Sequence, residues 1–289
     1  MQTLISATDL LQLQARQSTP SPDARPLVLL DCGFDLADPA SGERAYAAGH
    51  LPGALYAHLD RDLSGPKAGP GEPGRGRHPL PDRGRFAATV GAWGVAPGVQ
   101  VVVYDAQGGP YAARAWWLLQ WLGHAEVAVL DGGPAAWAAA GGATTQAAAS
   151  TRPQPPYPAT AAPAMPLLDA SALQAALDRM LVIDARAPER YRGEVEPLDP
   201  VAGHIPGAAN RFFKLNLQAD GRFKPAAELH TEFMALLQPG RPVVQQCGSG
   251  VTACHNLLAM AHAGLGATLL YPGSWSEWCS DPARPMVRA

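Results

Sequence analysis

The chain has 289 residues, and at the roughly 150 residues of an average globular domain this length suggests two domains. With 47% apolar and 16% charged residues it can bury sizeable cores, and a net charge of −3 gives no electrostatic footprint for nucleic acid or an acidic membrane surface. Apolar runs such as 27–30 and 101–104 are strand-sized, far short of the ~20 residues that cross a bilayer. The start, MQTLISATDLLQLQ, lacks the basic and apolar regions of a secretory signal, and the four scattered cysteines (Cys32, Cys247, Cys254, Cys279) fit a reducing compartment, so a cytoplasmic location is expected.

Taken in chain order, LVLLD at 27–31 reads as a first strand and is followed by GHLPGA at 49–54. The Gly- and Pro-rich segment SGPKAGPGEPGRGRHPLP at 64–81 reads as a surface loop that carries Lys67, Arg75, Arg77 and His78. A strand at 101–105, a helix over 112–122 stopped by Gly123, a strand at 127–130 and the motif LDGGPAAW at 130–137 follow. Repeated Pro and small residues around 143–164 deny both helical and strand periodicity, which makes that stretch a linker. Beyond it the same order returns. MLVID at 180–184 precedes GHIPGA at 203–208, VVQQCGSGVTACHNLLAMAHAG at 243–264 holds a strand and a helix stopped by Gly264, and YPGSWSEW closes the series at 271–278 after a strand at 268–271. Four anchors in one order, at offsets of about 153 and then about 141 residues, identify a duplicated domain with copies at 1–142 and 165–289. Alternating short strands and helices predict an α/β fold, each copy a mostly parallel sheet flanked by helices.

The segment PVVQQCGSGVTACHNLLAM places Cys247 at the carboxyl end of a buried strand and before a helix, where open α/β sheets bind their ligands. Gly248 and Gly250 let the loop turn tightly so that successive amides, through Val251 and Thr252, can face an anion, and the helix start adds its positive dipole end. Cys247 is therefore expected to be a reactive thiolate rather than a packing residue. A cysteine phosphatase would close such a loop with an Arg, and none stands between Gly248 and Ala253. Sulfur transfer needs only backbone amides to hold a persulfide.

The paired GHLPGA and GHIPGA motifs, the CGSGVTA loop and the PGSWSEW ending resemble a two-domain rhodanese-type sulfurtransferase, over nearly the whole chain apart from the linker. The resemblance implies two tandem rhodanese-like domains, the second catalytic and the first without its cysteine, as Asp105 stands where the second copy has Cys247. It implies sulfur transfer through a Cys247 persulfide from a small anionic donor to a thiol, a thioredoxin-like protein or cyanide. Because the loop resembles CGSGVT rather than the cation-bearing CRKGVT of thiosulfate-preferring members, 3-mercaptopyruvate is the favoured donor. The alternatives are a thiosulfate:cyanide sulfurtransferase and a low-turnover sulfur-relay protein. By the same resemblance Arg190 binds the donor carboxylate, and Ser249, His78 and Asp60 act together on the donor. A second substrate Arg of the family is replaced by Leu198, which leaves Arg186 or Arg192 as candidate substitutes. If the copies pack with the cysteine between them, Arg75 and Arg77 would border the site.

His50 and His204 sit in identical turns, one of them in the copy that lacks a counterpart of Cys247, so a shared structural role explains them, and the same holds for Asp31 and Asp184. Cys254 reads as a packing thiol, Cys279 as exposed and open to oxidation, and Trp116, Trp117 and Trp121 as core. No metal-ligand spacing and no dinucleotide fingerprint occurs, so neither metal nor cofactor is expected. The expected oligomeric state is a monomer.

Overall fold

The computed structural model describes residues 3–17, 26–69 and 74–288; residues 70–73 of the basic loop lie outside the described residues. The chain divides into two units. The first comprises Met1–Leu63, Pro81–Ala164 and Ala219–Phe223, the second Ser64–Leu80, Met165–Gln218 and Lys224–Ala289.

In the first unit the elements are β1 (Leu4–Ile5), α1 (Ala7–Gln17), β2 (Leu27–Asp31), α2 (Ser41–Ala48), β3 (Ala54–Tyr56), α3 (Arg83–Ala92), β4 (Gln100–Tyr104), α4 (Pro110–Leu122), β5 (Val127–Leu130) and α5 (Gly133–Ala139). Its strands form one parallel sheet in the order β1-β5-β4-β2-β3. Val101, Val102 and Val103 are buried on both faces of β4, which is what a β-branched run in a covered parallel strand requires. Along α4, Trp116 and Trp117 are buried as expected, and Trp117 stacks on Trp121 with centroids 5.9 Å apart.

The second unit contains α6 (Ala170–Gln174), β6 (Leu181–Asp184), α7 (Pro188–Arg192), β7 (Ala209–Asn210), a 3-10 turn (Phe213–Asn216), α8 (Ala226–Met234), β8 (Val243–Gln246), α9 (Thr252–His262), β9 (Leu269–Leu270) and α10 (Ser274–Trp278). Its parallel order, β7-β6-β8-β9, repeats β3-β2-β4-β5 of the first, and a bridge from Leu167 to Leu270 takes the place that β1 has beside β5. Chain connections run outward in opposite directions from β6 and β8, so the carboxyl ends of these two strands flank the topological switch point.

The duplication extends to single side chains. His50 stacks on Tyr46 at 3.9 Å and hydrogen-bonds the Tyr46 carbonyl at 2.7 Å; His204 stacks on Tyr191 at 4.0 Å and hydrogen-bonds the Tyr191 carbonyl at 2.8 Å. These histidines brace turns. Residues 143–164 carry no helix or strand, and they run along the first unit through backbone bonds from Gln154 to Gly91, Tyr157 to Ala87, Thr160 to Leu122 and Ala164 to Trp121. No helix among the described residues is long and apolar enough to cross a membrane.

Candidate active site

Cys247 follows directly on β8, beside the switch point, and is 2% exposed. The loop turns at Gly250, whose φ of +78° favours glycine and whose close approach to Pro272 would put a Cβ 2.2 Å from that carbonyl oxygen. The turn aims the Gly250 amide at the cysteine, donating to Sγ at 3.2 Å. Val251 caps α9, and Thr252 opens its first turn.

The first copy displays what amides in this kind of loop can do. Asp105, at the carboxyl end of β4, is buried, and its carboxylate accepts four backbone N–H groups: Gln107 and Gly109 at 2.8 Å on Oδ1, Tyr111 and Ala112 at 2.9 Å on Oδ2. Burial pushes this carboxyl above the usual range, and the four amides oppose the shift.

The sequence groups Arg77 and His78 with the first copy, but residues 64–80 belong to the second unit. The loop is closed by Gly65 N–H donating to the Pro79 carbonyl and docked by Arg77 N–H donating to Ser276 Oγ at 3.0 Å. His78, buried, has Nδ1 2.7 Å from Ser249 Oγ, a hydrogen bond whose donor is set by the imidazole tautomer. Arg77 lies over Gly248, where a Cβ would come within 2.7 Å of its Nη2, and Arg190 stands 3.4 Å from the same point. Asp199 pairs with both guanidinium groups, with Arg77 through Oδ1 and with Arg190 through Oδ2 at 3.3 Å. Arg77 and Arg190 each keep an Nε without an acceptor among the described residues. Burial raises the Asp199 carboxyl, opposed by Arg77 and Arg190 and reinforced by Glu196.

Arg186 is differently employed. Its Nε and Nη2 grip Asp184 at 2.7–3.1 Å, Nη2 also donates to the Gly203 carbonyl at 2.8 Å, Nη1 faces Glu196 at 3.4 Å, and the guanidinium lies 4.8 Å from the Trp275 ring centroid. Burial works against its charge, and Asp184 and Glu196 more than offset that. Arg192 forms an exposed pair with Glu194, and Leu198 is 42% exposed. Arg75 is exposed, and Asp60 lies in the first unit on the turn after β3, its N–H donating to His58 Nδ1 at 3.1 Å.

The structure thus brings Cys247, Gly248, Ser249, Gly250, His78, Arg77 and Arg190 to one end of the second unit's sheet. Sequence reasoning missed the acidic partners Glu196 and Asp199, six and nine residues past Arg190, and the grip of α10 on the loop. Cys247 N–H donates to Ser274 Oγ at 3.1 Å, Trp275 N–H to the Cys247 carbonyl at 3.0 Å and Ser276 N–H to the Gly248 carbonyl at 2.9 Å. Recurrence of the PGSWSEW segment as DGGPAAW marked it as important without giving this role. The other thiols are inert by placement. Cys254 is buried with Sγ donating to the Gly250 carbonyl at 3.3 Å, and Cys279 is 4% exposed rather than open to oxidants, its thiol pushed up to about 11 first by burial and then by Asp199. Among the described residues no group of three or more His, Cys, Asp or Glu is placed to hold a metal ion.

Comparison with known proteins gives a Rhodanese-like domain match at residues 9–140 and again at 169–281. A "Probable 3-mercaptopyruvate sulfurtransferase" of Pseudomonas aeruginosa is 52% identical over 287 residues, covering 96% of this chain and 95% of that one. A thiosulfate sulfurtransferase of Gallus gallus is 31% identical over 274 residues, covering 87% and 86%. Among solved structures, a 3-mercaptopyruvate sulfurtransferase from Leishmania major superposes with a TM-score of 0.79 at 30% identity, covering 96% of this chain and 74% of that one.

Proposed function

The chain belongs to the tandem rhodanese family of sulfurtransferases, and from that premise we propose that it moves a sulfur atom from 3-mercaptopyruvate, through a persulfide on Cys247, to a thiol or cyanide acceptor. The observation that carries this reading is the convergence on one loop of a buried sulfur, an amide donating to it, a His–Ser pair and two guanidinium groups.

The chemistry runs as two displacements. The Cys247 thiolate attacks the donor's sulfur; the S–S bond forms as the donor's C–S bond breaks, and the electron pair leaves on the carbon as an enolate. Ser249, two residues past Cys247 in the same loop and hydrogen-bonded to His78, would with it relay the donor's thiol proton to that carbon, releasing pyruvate. The acceptor thiolate or cyanide then attacks the outer sulfur, and Cys247 leaves as thiolate. Amides of the loop, used in the first copy to hold the Asp105 carboxylate, would here hold the sulfur anion. Arg190 and Arg77 would clamp the donor carboxylate, with Arg77 supplying the second guanidinium that Leu198 cannot. Arg186, all of its nitrogens engaged, belongs to the frame rather than to the donor. Cys247, Ser249, His78, Arg77 and Arg190 all belong to the second unit, whereas Asp60 lies in the first.

A neutral loop favours an α-keto acid over thiosulfate, as does the name of the Pseudomonas aeruginosa relative. The thiosulfate reading draws on the Gallus gallus relative. Initial rates with both donors and one acceptor, for wild type and Cys247→Ser, decide. Preference for mercaptopyruvate that disappears in the variant supports the proposal, preference for thiosulfate replaces the donor, and activity surviving in Cys247→Ser overturns the mechanism. A single stoichiometric persulfide without turnover would mean a relay protein.

A further inference from the structure

Ser274 is the one non-glycine residue with a positive φ, 53°, among the described residues. It is fully buried at the start of α10. Its hydroxyl accepts the Cys247 N–H at 3.1 Å and donates to the Tyr271 carbonyl at 2.9 Å. The aligned corner of the first copy holds Gly133 at φ 55°, where a Cβ would stand 2.3 Å from the Asp105 carbonyl oxygen. The same left-handed corner is thus built from glycine in the copy that carries Asp105 and from serine in the copy that carries Cys247. Left-handed backbone is costly for a residue with a Cβ, so the serine needs a compensating role. What it adds to glycine is one oxygen, and that oxygen sits on the amide of Cys247.

We propose that Ser274 is a positioning residue for the sulfur carrier, its hydroxyl fixing the peptide plane that leads into Cys247. The proposal rests on the reading of Cys247 as that carrier. With the Cys247 and Gly248 carbonyls held by Trp275 and Ser276, three successive anchors immobilise the backbone and leave the sulfur facing the Gly250 amide at 3.2 Å. Removing the hydroxyl strands a buried N–H and frees the first anchor, so the sulfur loses its aim. Binding of the donor's carboxylate, assigned to Arg77 and Arg190, does not pass through this contact.

The test compares Ser274→Gly, Ser274→Ala and Cys247→Ser in the full chain. It reads kcat and KM for 3-mercaptopyruvate, the rate of Cys247 alkylation by iodoacetamide located by peptide mass mapping, and the melting temperature. Both serine variants should lose about tenfold or more in kcat and in alkylation rate, as misplacement of a reacting atom does, with KM within about twofold. Ser274→Gly should keep its melting temperature, since relief of the left-handed strain at a residue with a Cβ offsets the cost of the stranded Cys247 N–H. Wild-type kcat and alkylation in Ser274→Gly overturn the proposal, and so does a loss accompanied by a lowered melting temperature or a raised KM. If Cys247→Ser keeps turnover, the carrier reading falls by itself; if that variant is inactive while Ser274→Gly behaves as wild type, only the positioning role falls.

Discussion

Asp105 and Cys247 occupy the same position in the two copies, each at the carboxyl end of a central strand with an amide-lined loop and a helix following it. One copy fills the loop with a carboxylate, the other with the sulfur of Cys247. Asp105→Asn keeps the shape but turns an NH2 toward two amide donors, either those of Gln107 and Gly109 or those of Tyr111 and Ala112. At roughly 1–3 kcal/mol for each buried donor left unsatisfied, the variant should lose about 2 kcal/mol or more in denaturant unfolding. Unchanged stability would mean that the four amides do not depend on the charge.

Arg77→Ala and Arg190→Ala should each raise KM for 3-mercaptopyruvate about ten- to a hundredfold, the worth of a hydrogen bond to a charged group, with a smaller effect on kcat. Because Asp199 bridges both guanidinium groups, the double variant should fall short of the product of the single effects. Steady-state kinetics on the three variants check this, and an unchanged KM in Arg77→Ala removes it from the donor site.

Ser249→Ala and His78→Asn should each lower kcat by about 10² or more, the usual contribution of a positioned acid or base, and the double variant should be no slower than the worse single one. Pre-steady-state release of pyruvate locates the defect: it should slow, while transfer from a preformed persulfide should not.

Cys279 should resist alkylation in the folded protein at pH 8. A thiol whose pKa is pushed up to about 11 by burial is almost entirely protonated there, and the thiolate is the reactive form. Peptide mapping after iodoacetamide treatment should find Cys279 modified only once denaturant is added, and fast native labelling would contradict its burial.

Much of this architecture is legible in the sequence because the duplication offers two readings of each element. The strand–loop–helix around Cys247 could be placed from apolar runs and glycines alone, and the brace role of His50 and His204 followed from their appearance in both copies. The site's outer half was not readable in the same way. Arg77 and His78 reach Gly248 and Ser249 across more than 170 positions of sequence, through a loop whose Gly and Pro content resembles that of any surface insertion. Nor does the order of residues reveal that Arg186 spends its donors on Asp184, two positions away, while Arg190, four further along, keeps one unused. The position of Cys279 near the end, after Trp278, suggested exposure, whereas packing around α10 buries it.

Three guanidinium groups (Arg77, Arg186, Arg190) and three carboxylates (Asp184, Glu196, Asp199) form one contiguous network beside Cys247. Such a set is electrically balanced before any donor arrives, so a bound carboxylate leaves it one negative charge in excess. Asp199, already raised by burial and by Glu196, is the group best placed to restore neutrality by taking up a proton. On the proposed reading, donor binding should be accompanied by proton uptake at Asp199. Affinity should be greatest below the raised Asp199 pKa and should weaken as pH climbs through it, and titration calorimetry in buffers of differing ionisation enthalpy would count the proton directly.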